Sequence, residues 1–290
     1  MLDLLSMESL AARHHSKSAR QVAQMGAESL NRGRFYARLR ERPPQGLHRN
    51  EIESHFRGMP AGYWERLTKT ELMWALETIH AFFDKVRFSR RGKATVLAVS
   101  RPYPQRGLTK VMVCAWDRPG LLATIAAGFS ALRLNILRAD VYTRADGLAL
   151  DVFEVCEAET ADPSKLEKLD ELMFLLEGAL CSPPRFASMW AGEFHKLLPR
   201  PSTRSLRVAF DDEYSAEYTL IHVQTSDRLG LLYDLLHCLT ECGLNVAQAT
   251  VQTEDGTASD VFYVTDLKGA KISSSSQLEH IRKALIRAVT

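Results

Sequence analysis

The sequence predicts an α+β fold: two copies of a ferredoxin-like βαββαβ unit behind a mostly α-helical N-terminal segment. Three observations predict it. First, an internal repeat joins Asp117-Arg-Pro-Gly-Leu-Leu122 to Asp227-Arg-Leu-Gly-Leu-Leu232, Leu134-Asn-Ile136 to Leu244-Asn-Val246 and Asp151-Val-Phe153 to Asp260-Val-Phe262. The offset is 110 residues at Asp117/Asp227 and 109 at Asp151/Asp260. That is a duplicated domain, because solenoid repeats are shorter. Second, each copy alternates β-rich runs with stretches of helical periodicity. Third, the charge is uneven. Residues 1–93 carry 17 Lys/Arg against 10 Asp/Glu, a net +7, and the remaining 197 carry 20 against 25, a net −5. The expected domains are therefore 1–93, 94–185 and 206–290.

The elements of each copy follow in order. Lys110–Trp116 and Tyr218–Gln224 are apolar and β-branched, hence strands. The D-R-x-G turn comes next. Leu121–Leu132 and Leu231–Cys242 then place apolar residues at three- and four-residue spacing, as an amphipathic helix does. Gly243 stands where a C-terminal helix glycine falls, whereas its counterpart is Arg133, so the first copy is expected to end its helix differently. Ile136–Thr143 and Val246–Thr253 are strands, each joined by an Asp-Gly turn to Leu148–Val155 or Ala258–Val264. The one-residue difference falls between T-R-A-D-G and T-E-D-G, inside that hairpin loop. Helices over Pro163–Leu180, starting at Asp162-Pro163, and Ser275–Ala288 close the copies. Thr95–Ser100 and Leu206–Phe210 are available as further strands.

The combination D-R-P-G-L-L, L-N-I and D-V-F-x-V resembles an ACT domain, a regulatory amino-acid-binding module. Over roughly 94–290 the chain is similar to the tandem ACT region of the bacterial [protein-PII] uridylyltransferase/uridylyl-removing enzyme family. His55-Phe-Arg-Gly-Met-Pro-Ala-Gly-Tyr-Trp64 extends the likeness back to about residue 50. The resemblance implies an effector bound at ACT-domain interfaces, glutamine first, in nitrogen regulation. It also implies association through ACT sheets, within the chain or in a homodimer, and a catalytic or PII-type partner protein. That family's catalytic domains carry G-S with D-x-D, and a metal-binding His-Asp pair. The sequence has neither G-S nor D-x-D, and His14-His15 lack a partnered His-Asp. The expectation is a non-catalytic regulatory protein with no cofactor. A shortened or split uridylyltransferase remains the alternative.

The candidate ligand-binding residues are Asp117, Arg118, Gly120, Leu121 and Asn135 in the first copy, and Asp227, Arg228, Gly230, Leu231 and Asn245 in the second. The glycines free the backbone for unusual angles and close approach to a ligand. The Leu amides belong to a helix N-terminus, whose unsatisfied donors and dipole favour a carboxylate. Asp117 and Asp227 either cap the helix or take an ammonium group. Asn135 and Asn245 offer donor and acceptor together, unless they bond their own backbone in a turn. Pro119 lacks the amide that Leu229 keeps, so the two sites are expected to differ. Asp151 and Asp260 are expected to face solvent or pair with Arg, opposite the neighbouring Val.

The five cysteines are odd in number and scattered, so neither a disulfide framework nor a zinc site is indicated, and Cys238 and Cys242 read as packed side chains. Residues 32–42 mix Arg with aromatics, and nucleic-acid or partner binding there is a further alternative. Arg34, Arg38 and Arg42 share one helical stripe and read as a solvated face, so nucleic acid is not expected. Trp64, Trp74, Phe82 and Phe83 read as the core of a small helical unit over Glu51–Val86, with His80 packed among them. No window is apolar enough to span a membrane and the N-terminus has no signal-peptide pattern, so a cytosolic location is expected. Walker A, G-x-G-x-x-G, H-E-x-x-H and G-x-S-x-G motifs are absent from the sequence.

Overall fold

The computed structural model describes residues 33–89, 95–157, 167–181 and 206–289. The expected helix start at Asp162-Pro163 and the His14-His15 pair lie outside these residues. Two compact units divide the chain, residues 1–76 and 77–290, with the boundary inside one helix.

The first unit is helical in its described part. Residues 33–41 form α1, Arg49–Gly58 α2 and Ala61–Arg66 α3, and Lys69–Phe88 form α4, which runs on into the second unit. Thr68 and Glu71 open α4 with a capping box: the Glu71 carboxylate accepts from the Thr68 amide at 2.9 Å, and Thr68 Oγ1 accepts from the Glu71 amide at 3.3 Å. His55, Phe56, Tyr63 and Trp64 form an aromatic cluster, tied by a 2.8 Å hydrogen bond between His55 Nε2 and Tyr63 Oη. Arg34, Arg38 and Arg42 are exposed, as a solvated stripe requires.

The second unit carries one eight-stranded antiparallel sheet. Its strands are β1 (Val96–Tyr103), β2 (Leu108–Trp116), β3 (Leu134–Asp140), β4 (Leu148–Glu157), β5 (Arg207–Asp211), β6 (Thr219–Ser226), β7 (Leu244–Glu254) and β8 (Thr257–Asp266). The order across the sheet is β1-β2-β4-β3-β7-β8-β6-β5. Each copy is thus a ferredoxin-like α+β unit in which the edge strand is supplied from the N-terminal side. Thr95–Ser100 and Leu206–Phe210 fall in those two edge strands.

The helices are α5 (Leu121–Ala131), α6 (Glu167–Cys181), α7 (Leu231–Glu241) and α8 (Ser275–Val289). Helix α5 packs against α6 and α7, and α7 against α8, giving a row α6-α5-α7-α8 along the sheet. Their apolar stripes share one continuous core with the sheet, including Phe129, Phe153, Leu176, Leu235, Phe262 and Leu285, all nearly solvent-free. Removing this much apolar surface from water is the main stabilising term. Met112, Cys114, Leu148 and Leu150 are equally buried but lie outside that core, on the opposite face of the sheet.

The seam between the copies is β3 against β7, registered Arg138↔Gln252, Ala139↔Val251 and Asp140↔Thr250. Both strands carry a β-bulge at the same repeat position, between Ile136 and Arg138 and between Val246 and Gln248. A bulge inverts the alternation of side chains. Asn135 and Asn245, on the near side of it, therefore point independently of the residues that form the seam.

One helix end corrects the expectation. Arg133 takes the left-handed conformation at φ 55°, as Gly243 does at φ 72°. Both copies end this helix the same way, and the first does so with a side chain that disfavours it. The hairpins differ as the one-residue change requires. Asp255 and Gly256, both at positive φ, make a two-residue turn between β7 and β8. In the first copy the loop from Arg144 to Gly147 is closed by bonds from the Arg144 amide to Leu148 O and from the Gly147 amide to Arg144 O, both 2.8 Å.

Candidate functional site

Each D-R-x-G segment is a tight turn that feeds a helix. The Leu121 amide donates to Arg118 O at 3.0 Å, and the Leu231 amide to Arg228 O at 3.1 Å. Gly120 sits at φ 78°, ψ 4° and Gly230 at φ 79°, ψ −2°, the third-residue geometry of a type II turn. No heavy atom lies within 4 Å of a Cβ built on Gly120, so backbone conformation and not space calls for glycine there. The turns are pinned to the hairpins in identical fashion: the Asp117 amide donates to Gly147 O at 2.8 Å and the Asp227 amide to Gly256 O at 2.9 Å. Leu121 and Leu231 bury their side chains and spend their amides in the turn. The helix donors that remain for a ligand therefore begin one residue later, at Leu122 and Leu232.

The seam brings each turn to the asparagine of the other copy. Asn135 Nδ2 donates to Asp227 Oδ2 at 3.0 Å. Asp227, Arg228, Gly230, Leu232, Asn135 and Asp260 line one cleft of about 310 Å³, a figure that includes space open to solvent. Asp117, Arg118, Gly120, Leu122, Asp151 and Asn245 line the second, about 450 Å³ by the same measure. All ten candidate residues fall on these two clefts. They group crosswise, Asp117 with Asn245 and Asp227 with Asn135, not within one copy.

The clefts are not equivalent. Asp227 is half-buried and bonded to Asn135, whereas Asp117 is exposed and accepts from Thr143 Oγ1 at 3.3 Å. The arginines turn toward the closing helices. Arg118 donates to Leu180 O near the C-terminal end of α6 at 2.8 Å. Arg228 reaches Ala288 O near the end of α8 and pairs with Asp234 on α7. Cations at helix C-termini offset the partial negative charge there. The position equivalent to Asp234 is Thr124, whose hydroxyl donates to Gly120 O.

Asp151 and Asp260 depart from the expectation of solvent or Arg. They are 1% and 2% exposed and line the two clefts. Alternation holds, since each lies opposite its Val, but β4 and β8 are inner strands and the Asp face is the one the helices cover. Asp151 shares that face with Phe153, and Asp260 with Phe262. Burial pushes Asp151 well above the usual carboxylate range, opposed by the Tyr142 amide and reinforced by the Asp117 charge. Burial likewise pushes Asp260 up to about 8, opposed by the Gln252 amide and reinforced by Asp227. Asp260 Oδ1 has no hydrogen-bond partner. The recurrence of D-V-F in both copies was the available signal for these two residues.

Comparison with known proteins matches the second copy to a family model. Residues 214–290 match the family described as the ACR family N-terminal ACT domain. The chain is 32% identical over 237 residues to the bifunctional uridylyltransferase/uridylyl-removing enzyme of Bradyrhizobium diazoefficiens, covering 81% of this chain and 25% of that protein. It is 32% identical over 209 residues to that of Gluconobacter oxydans, covering 71% and 22%. It is 36% identical over 185 residues to that of Nitrobacter winogradskyi, covering 62% and 20%. The chain thus spans a quarter or less of the length of these relatives. Among the described residues no helix is long and apolar enough to cross a membrane, and no group of three or more His, Cys, Asp or Glu is placed to hold a metal ion.

Proposed function

Starting from a chain whose repeats are similar to the ACT region of uridylyltransferase/uridylyl-removing enzymes, we propose that it is a non-catalytic regulatory protein. Its paired ACT domains bind a small amino acid, glutamine first, at the two inter-copy clefts. The observation that carries this reading is the crossed site: a helix N-terminus and an aspartate from one copy, an asparagine from the other. The amides at Leu122 or Leu232 and the helix dipole suit the α-carboxylate. Asn135 or Asn245 suits the polar side chain or backbone of the effector, since an amide both donates and accepts. Because every ligand would touch both copies, binding stabilises one arrangement of the β3–β7 seam. Regulation then follows by linkage: the effector shifts the chain toward the state it binds more tightly.

A thermal-shift screen against the twenty amino acids tests the reading. A ligand that binds only the native state at 100 times its Kd adds about 2.7 kcal/mol of apparent stability. Glutamine is expected to raise the melting temperature in a saturable way. A flat response to all twenty would leave the ACT pair as an assembly module and end the sensing proposal.

One observation favours a second reading about partners. The relatives are bifunctional enzymes and the chain covers only their quarter. As a proposal, it acts as the regulatory portion of a uridylyltransferase-like system, with catalysis carried by a separate chain or by PII-directed machinery. Co-purification of a nucleotidyltransferase with the tagged protein in a glutamine-dependent manner would support this. Recovery of the protein alone with and without glutamine would count against it.

A further inference from the structure

The least explained groups in the clefts are the two buried acids. Asp260 is 2% exposed and lines the Asp227–Asn135 cleft, and its Oδ1 atom is without a partner. A buried acceptor left unmade costs free energy, so such an atom on a cleft wall is an unfilled contact for a ligand. Neighbouring charges define what kind of contact. From the β6–α7 turn come Asp227 and Arg228. Asp227 already accepts from Asn135 of β3 with one oxygen, and Arg228 is committed to Asp234 of α7 and to Ala288 O. Strand β7 contributes the Gln252 amide and the uncharged Thr253, and α5 contributes Ser130. Among the described residues that line it, the cleft therefore holds two carboxyl groups and one cation, Arg228, which is engaged elsewhere. What it lacks is a cationic N–H donor.

The other cleft repeats the design. Asp151 is 1% exposed and faces Asp117 of the β2–α5 turn. Its Oδ1 accepts from the Tyr142 amide at a long 3.4 Å. Across the sheet Cys114 is close to Asp151, and also to Arg144 and Asp146 of the hairpin loop, which pair with each other at 2.7 Å. Arg118 is turned to Leu180 O, and the facing positions on α7 and β7, Thr240 and Asn245, are uncharged.

We infer that Asp260, and Asp151 in the other cleft, receive the ammonium group of an α-amino-acid effector, and that each binding event displaces one proton from the receiving carboxyl to solvent. This rests on the amino-acid reading above and goes beyond it: it selects zwitterions with a free primary ammonium over N-acylated or purely anionic analogues, and it makes affinity depend on pH. In the empty cleft the acid keeps its proton, since burial beside a second carboxylate disfavours the charge. When the ammonium arrives, the proton leaves to the buffer and an ion pair replaces the neutral acid. Linkage then requires affinity to rise by about tenfold per pH unit per site while the acid is protonated in the free protein.

Isothermal calorimetry of the full chain with L-glutamine at pH 7, in phosphate and in Tris, reads the released protons directly through the difference in buffer ionisation heat. In the Asp260 cleft close to one proton released per glutamine is expected, with affinity rising from pH 6 to about 8 and levelling above. N-acetylglutamine is expected not to bind. Asp260→Asn preserves the shape of the side chain and should weaken one site at least tenfold while releasing no proton there. Glutamine binding with equal heat in both buffers and constant affinity across this range would overturn the inference while leaving amino-acid sensing intact. Absence of binding by any amino acid at any of these pH values would overturn both. The two-buffer measurement uses the unmodified chain, so it decides even if the variant does not fold.

Discussion

Asn135 of the first copy donates a 3.0 Å hydrogen bond to Asp227 of the second, although 92 residues separate them along the chain. The contact exists because β3 and β7 pair at the centre of the sheet and carry the L-N-x segment of each copy to the D-R-x-G turn of the other. A site built this way forms only when both copies are in register. That relationship turns a duplicated fold into a device whose ligand and domain pairing are thermodynamically coupled.

The buried acids predict an unusual pH dependence of stability for the empty chain. Asp151 and Asp260 keep protons in the native state that the unfolded chain releases above about pH 4. Native protein then binds more protons than unfolded protein, so stability falls as pH rises, for Asp260 until about pH 8. Each group contributes at most about 1.4 kcal/mol per pH unit inside its window. Asp146, held below the usual carboxylate range by its bond to Arg144, slopes the other way, but only at pH values near its own low pKa. Melting temperatures should therefore decline from pH 5.5 to 8, and Asp260→Asn should flatten the decline. An unchanged slope in that variant would remove Asp260 from the account.

Arg133 predicts a stabilising substitution. Its left-handed φ of 55° is disfavoured for a residue with a Cβ. Arg133→Gly would match Gly243 in the second copy and should raise stability by about 1 kcal/mol in urea unfolding, and Gly243→Ala should lower it by a similar amount. A loss in both variants would mean that the Arg133 side chain contributes more than its backbone costs.

The two arginines predict unequal costs. Arg228 and Asp234 form a pair with side chains 13% and 5% exposed, so Arg228→Ala removes the cation from a buried ion pair and should cost about 3 kcal/mol. Arg118→Ala removes the bond to Leu180 O and should cost about 1 kcal/mol. Equal losses in denaturant titrations would contradict the asymmetry between the copies.

Much of this was legible in the sequence because it is local. The D-R-x-G turns, the helices beginning at Leu121 and Leu231 and the Asp-Gly hairpins each have a pattern within a dozen residues, and the repeat doubled every signal. The ten candidate residues do line the clefts. Their crosswise grouping was not legible, since it depends on a three-pair seam between strands with no sequence mark of partnership, and the bulges after Ile136 and Val246 break the parity that alternation reads. Asp151 and Asp260 escape the sequence pattern for a related reason. Alternation tells which residues share a face, but only the sheet order tells which face the helices cover. Arg133 shows the converse: the helix end is set by tertiary geometry strong enough to impose a glycine conformation on arginine.

The most direct test of the shared-cleft account compares two double variants by calorimetric stoichiometry with glutamine. Asn135→Ala with Asp227→Ala disables one cleft twice, and Asn135→Ala with Asp117→Ala disables each cleft once. The account predicts that the first binds one glutamine per chain, at the affinity of the untouched cleft, and that the second binds none. One glutamine retained by Asn135→Ala/Asp117→Ala, with none bound by Asn135→Ala/Asp227→Ala, would place each site within a single copy and contradict it.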